Sequence, residues 1–153
     1  MRKLWITLPI LFFVMYAESI EAKQKEIECL AQNIYHEARS ESTAGRMAVA
    51  LVTLNRVKDE RFPNTICGVV KQTKYYPSGR IDLHSCQFSW YCDGKPDTIK
   101  DENCYKDILL IAEVMYTYET EDFTEGSLWY HSPKVKPKWS MVCLLYTSDA
   151  ADD

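Results

Sequence analysis

The sequence predicts a single, mainly α-helical domain of the α+β kind, with a small loop or β lobe between its second and third long helices. Three observations carry this. Apolar residues recur with helical period in three stretches, residues 74–96 are rich in Tyr, Ser, Gly, Asp and His without sustained period, and a short alternating run stands near residue 127. At 153 residues, 46% apolar and 26% charged, the chain has the size and composition of one compact domain.

The first element is set apart. Arg2 and Lys3 precede an apolar run from Leu4 to Ala17, and small residues follow at Ala17, Ser19 and Ala22. A bilayer span needs roughly 20 apolar residues and this run has about 14, so residues 1–22 read as a signal peptide and the protein as exported to the periplasm or beyond. From Glu26, apolar residues at Ile27, Leu30, Ala31, Ile34, Tyr35 and Ala38 form one face of an amphipathic helix. Ser40 to Thr43 supply N-cap candidates for the next helix. Met47 to Leu54 is apolar on every side, which places it in a core, and Asn55-Arg-Val-Lys58 ends it with basic residues suited to a helix C-terminus. Thr65 is placed to cap a short helix through Ile66, Val69 and Val70. The aperiodic loop follows, and its aromatic content favours a functional role. A third long helix is predicted from about Glu102 to Tyr118, and Ser127 to His131 alternates like a strand.

A net charge of -4 and the lack of a basic stripe in the sequence argue against nucleic-acid binding. In an exported chain the six cysteines are expected to pair, with Cys86 and Cys92 able to close a short loop. They show no CxxC spacing, and His36, His84 and His131 stand singly, so no metal or other cofactor is expected.

Chemistry concentrates in "NIYHEARSE", residues 33–41. At about 100° per residue Glu37 lies roughly 80° from the centre of the apolar stripe, on its shoulder. A half-buried carboxyl there has its ionised form disfavoured and stays protonated as a general acid. The alternative is a structural pair with Arg39 or a neighbouring helix. Glu41 lies on the same side, with Cβ atoms about 5 to 6 Å apart, and two acids on one helix shoulder do not flank a sugar as a two-carboxylate glycosidase requires. The zinc motif H-E-x-x-H fails at Ser40, His36 is expected on the surface, and no G-x-S-x-G elbow exists. "CQFSWYC" interleaves amide, hydroxyl and indole donors with flat apolar faces, a mixture that grips sugar rings. Within it Phe88 reads best as core. Trp129, Tyr130 and His131 repeat that chemistry.

Four stretches, "NIYHEARSE", "MAVALVTLNRVKDERFPNTICGVV", "CQFSWYCDG" and "LWYHSPKVKPKW", together resemble the cell wall hydrolases of the spore cortex-lytic enzyme type over about residues 27–139. The resemblance implies a lysozyme-like fold related to lytic transglycosylases and a peptidoglycan glycan substrate, handled by a monomer. It makes Glu37 the single catalytic acid and places substrate-binding roles on Gln87, Phe88, Ser89, Trp90, Tyr130 and His131, with Tyr35 and Arg39 flanking the acid. The expected domain spans residues 23–140 and lacks its C-terminal end. Residues 141–153, which include Cys143, read as a tail foreign to the family, and Ser40 stands where the family commonly has Gly. Two other functions fit the same resemblance less well: a zinc-dependent N-acetylmuramoyl-L-alanine amidase and a non-catalytic wall-binding module.

Overall fold

A computed structural model describes residues 7–118 and 120–131, with side chains from residue 18 onward. Four α-helices make the frame: α1 (Thr7–Ala38), α2 (Thr43–Lys58), α3 (Ile66–Val70) and α4 (Glu102–Thr117), with one 3-10 turn at Ser89–Cys92. Helix α1 begins well before Glu26 and passes unbroken through residue 22. Its stretch from Ala17 to Glu28 holds Ala, Glu, Lys and Gln and no Gly or Pro, so local propensity extends it. The predicted signal segment therefore lies partly in α1 and partly, in residues 1–6, outside the described residues. Among the described residues no helix is long and apolar enough to cross a membrane.

The core forms where α1 packs against the other three helices. Leu30, Ala31 and Ile34 of α1, Val49, Ala50 and Val52 of α2, Val69 and Val70 of α3, and Ile108 and Ala112 of α4 are all buried. Tyr105, Leu109, Ile111 and Tyr116 of α4 pack against the core's edge. Asn33 is fully buried yet satisfied. Its amide donates to Thr53 Oγ1 (3.1 Å) and its carbonyl oxygen accepts from Trp90 Nε1 (3.1 Å), so one polar residue ties α1 to α2 and to the 3-10 turn.

Caps follow the sequence closely. Ser42 Oγ accepts from the Gly45 N–H at the start of α2, Thr65 Oγ1 from the Gly68 N–H in α3, and the Asp101 carboxylate from the Cys104 N–H in α4. At Gly68 a Cβ would come within 2.6 Å of Thr65 Oγ1 and 2.8 Å of Pro63 Cβ, so the cap and the Pro63 turn need glycine there. Two disulfides add cross-links. Cys29–Cys67 joins α1 to α3, and Cys86–Cys92 closes the short loop. On the chain-entropy estimate the first stabilises by about 4 kcal/mol and the second by about 2, because the loops differ in length.

The β features are corrected. Among the described residues no strand forms, and residues 74–96 carry a single antiparallel bridge between Tyr75 and Ile81. Residues 127–131 belong to no helix or strand. The Ser127 and Leu128 carbonyls accept from Asn55 and Arg56 of α2, while Trp129 is exposed. The second lobe is a disulfide-closed loop.

Candidate active site

Glu37 sits in the last turn of α1, with its carboxylate partly covered by the segment after α4. Tyr130 donates from its hydroxyl to Glu37 Oε2 at 3.0 Å, across 93 positions of sequence. That contact depends on the end of α2. Asn55 Nδ2 donates to Asp122 Oδ2 (2.9 Å), Thr124 Oγ1 and the Ser127 carbonyl, holding a turn over residues 122–127. Asp122 in turn accepts from the Thr124 and Gly126 N–H groups, and Gly126 takes a positive φ of 76° that glycine tolerates without strain. Arg56 Nε then donates to the Leu128 carbonyl at 2.8 Å. Asn55 and Arg56 thus dock the turn that carries Tyr130 onto Glu37.

Arg56 is only 4% exposed. Its guanidinium lies 5.2 Å from the Phe88 ring centroid and 5.6 Å from that of Phe62, an aromatic enclosure suited to a cation. Burial raises the Glu37 carboxyl above its ordinary value, opposed by the Tyr130 hydrogen bond and the Arg56 charge. Burial and the adjacent carboxylate also raise the Tyr130 phenol, which keeps it a proton donor in a hydrogen bond rather than an anion. The arrangement is a sheltered acid whose conjugate base already has a hydrogen-bond donor and a cation beside it.

The predicted binding residues divide between two sides of α1. Phe88 and Tyr130 lie on the Glu37 side, and Phe88 is core beneath Arg56. Tyr35, Arg39 and Trp90 lie on the other, lining a cavity of about 540 Å³ that does not include Glu37. A second cavity, of about 280 Å³, between α2 and the end of α4 also excludes it. Neither hollow includes Glu37, and it is its burial and bonding that make it the candidate acid. Gln87 and Ser89 lie on the connecting segment, Gln87 half-buried with its N–H donating to the Gln72 carbonyl and Ser89 exposed. His131 follows Tyr130 and is half-buried.

His36 is not the surface residue its helix position predicted. Its ring stacks on Trp90 with centroids 4.4 Å apart, and burial lowers it below its ordinary value against the pull of Asp97 and Asp93. The Tyr35 hydroxyl accepts from the Lys100 and Asp101 N–H groups, fixing the start of α4 to α1. Glu41 is exposed, so it does not share a pocket with Glu37. Among the described residues no three His, Cys, Asp or Glu side chains gather closely enough to hold a metal ion. Sequence reasoning missed Asn55 and Arg56. The available signal was an arginine seven residues after Val49 on the buried face of an all-apolar helix.

A cell wall hydrolase profile matches residues 40–147. It begins three residues after Glu37 and extends into the stretch predicted to be foreign. The chain is 42% identical over 53 residues to a spore cortex-lytic enzyme of Bacillus cereus, covering 35% of this chain and 20% of that protein. It is 47% identical over 45 residues to the spore cortex-lytic enzyme of Bacillus subtilis, 29% of this chain and 15% of the relative. The Halalkalibacterium halodurans spore cortex-lytic enzyme is 27% identical over 118 residues, 72% of this chain and 32% of the relative. The chain thus spans a third or less of the length of these relatives, and no solved structure matches it. With a matched profile covering most of its length, the chain belongs to the cell wall hydrolase family.

Proposed function

We propose that the protein is an exported peptidoglycan hydrolase that cleaves the glycan strand between N-acetylmuramic acid and N-acetylglucosamine, as a lytic transglycosylase or a muramidase. Family membership supports the wall substrate. The observation that carries the bond assignment is the sheltered Glu37 carboxyl, raised by burial and held by Tyr130 at 3.0 Å.

The chemistry follows from those contacts. Protonated Glu37 donates its proton to the glycosidic oxygen as the bond from that oxygen to C1 of the muramoyl unit breaks. The carboxylate left behind is stabilised by the Tyr130 hydroxyl and the Arg56 charge. In the transglycosylase route it takes the proton of the muramoyl 6-hydroxyl as that oxygen bonds to C1, closing a 1,6-anhydro ring and restoring the acid. In the muramidase route water replaces that hydroxyl. Among the described residues no second carboxylate is hydrogen-bonded to Glu37 or placed by its charge to perturb it, and one acid suffices when the substrate supplies its own nucleophile.

The test is the product spectrum from purified peptidoglycan with wild type and Glu37→Gln, read by mass spectrometry. New anhydro or reducing ends from wild type, lost in Glu37→Gln, are expected. Undiminished cleavage by Glu37→Gln would overturn the assignment. New stem-peptide amines abolished by EDTA would replace it with a zinc amidase, and pelleting with peptidoglycan without any product would replace it with a binding module.

A further inference from the structure

The 540 Å³ cavity on the His36 side of α1 has the volume of a small-ligand site and no part in the chemistry above. One wall is Trp90 stacked on His36. Two of its charged groups are already committed: Lys95 pairs with Asp93 at 3.3 Å, and the Asp101 carboxylate caps α4. The Arg39 guanidinium lies 5.5 Å from the Tyr35 ring centroid, which leaves its N–H donors available. Lys100 and Asp97 line the same cavity, and among the described residues neither side chain has an ion-pair partner. The cavity therefore offers two cations, one carboxylate and a flat aromatic wall. A neutral sugar would hydrogen-bond these groups but leave their charges uncompensated, and a polyanion meets Asp97. A short zwitterionic peptide uses all of them.

We propose that this cavity is a subsite for the short peptide carried by muramic acid, whose free carboxylates would meet Arg39 and Lys100 and whose diamino-acid ammonium would meet Asp97. The proposal rests on the glycan-cleaving reading above. His36 and Glu37 are consecutive, so their Cα atoms are about 3.8 Å apart while their side chains diverge by about 100° around the helix. An extended tetrapeptide spans about 13 to 14 Å, more than the helix diameter of about 10 to 12 Å. A branch on a sugar held at Glu37 is long enough to pass around the end of α1. The segment from Phe88 to Cys92 follows the same path, with Phe88 against Arg56 on one side and Trp90 in the cavity wall on the other.

The experiment titrates a synthetic stem tetrapeptide containing a diamino acid into the isotope-labelled chain, reading the Trp90 indole and His36 imidazole signals by NMR. Saturable shifts at both are expected. Affinity should fall at least about tenfold in Lys100→Glu, in Asp97→Lys, and for a peptide with amidated carboxylates. Absence of shifts at Trp90 and His36, or equal affinity in the charge-reversed variants, overturns the proposal. A parallel assay compares cleavage of peptide-bearing and peptide-stripped glycan. Peptide binding at the cavity without any glycan cleavage removes the glycosidase reading and keeps the subsite. Cleavage without peptide binding keeps the glycosidase reading and removes the subsite.

Discussion

Two consecutive residues at the end of α1 face different surroundings. Glu37 turns toward an assembly tied together by hydrogen bonds: Tyr130 on the carboxylate, Arg56 on the Leu128 carbonyl, Asn55 on the 122–127 turn. His36 turns toward an open cavity with an aromatic wall and charges free at its rim. Burial favours the neutral form of both, raising the acid and lowering the base. What differs is the partner set. In the functions proposed above, the partners on one side would stabilise a charge that appears during proton transfer, and those on the other would meet a charged ligand. Burial alone makes a group unusual, and its neighbours decide what the unusual state is used for.

The largest break in this comparison is expected from Glu37→Gln, which should lower glycan cleavage by about 10³-fold, within the usual range for a general acid. His36→Gln should change cleavage of peptide-stripped glycan by no more than a few-fold in the same product assay. If both substitutions abolish cleavage alike, the division between the two sides fails.

Arg56→Met should come next. It removes a charged hydrogen bond to Leu128 and the cation between Phe62 and Phe88, with an expected stability loss of about 2 to 3 kcal/mol in urea unfolding. Arg56→Lys should recover little, since an ammonium does not reproduce the planar Nε donor. Tyr130→Phe is milder. It removes a donor that favours the anion, so the alkaline limb of the pH–rate profile should move to higher pH and the rate at its optimum should fall about tenfold or less.

The smallest effect is on stability against pH. A carboxyl raised in the folded state stabilises the fold while protonated; that contribution is complete below the unfolded value near 4.3 and disappears as pH rises through the folded value. Glu37→Gln should therefore melt a few degrees above wild type at pH 8, and the gap should close as the pH is lowered past 4. A gap that widens on acidification would mean the carboxylate, not the acid, is the form the fold prefers.

Much of the frame is legible in the sequence because it is local. The helical period of Ile27 to Ala38 placed Glu37 on the shoulder where it is found, and Ser42 and Thr65 cap the helices that their neighbours predict. Cys86 and Cys92 close the loop their spacing allows, while Cys104 has no disulfide partner among the described residues. What the sequence concealed is long-range. His36 is polar on a helix flank, and only the return of Trp90, held by Asn33, covers it. Arg56 looks like an ordinary basic residue at a helix C-terminus until Leu128 and two phenylalanines arrive from other segments. The pattern at 127–131 has the period of a strand, but at Ser127 and Leu128 it is α2 side chains, not a second strand, that bond the carbonyls.

The Tyr130–Glu37 bond has a consequence for biosynthesis. The hydroxyl that bonds the carboxyl is made 93 positions after it, so a chain elongated only through α1 and α2 lacks that partner for Glu37. Glu37 gains its complete set of neighbours only when the turn at 122–127 seats on Asn55 and Arg56, so the sheltered state of its carboxyl is a late product of folding.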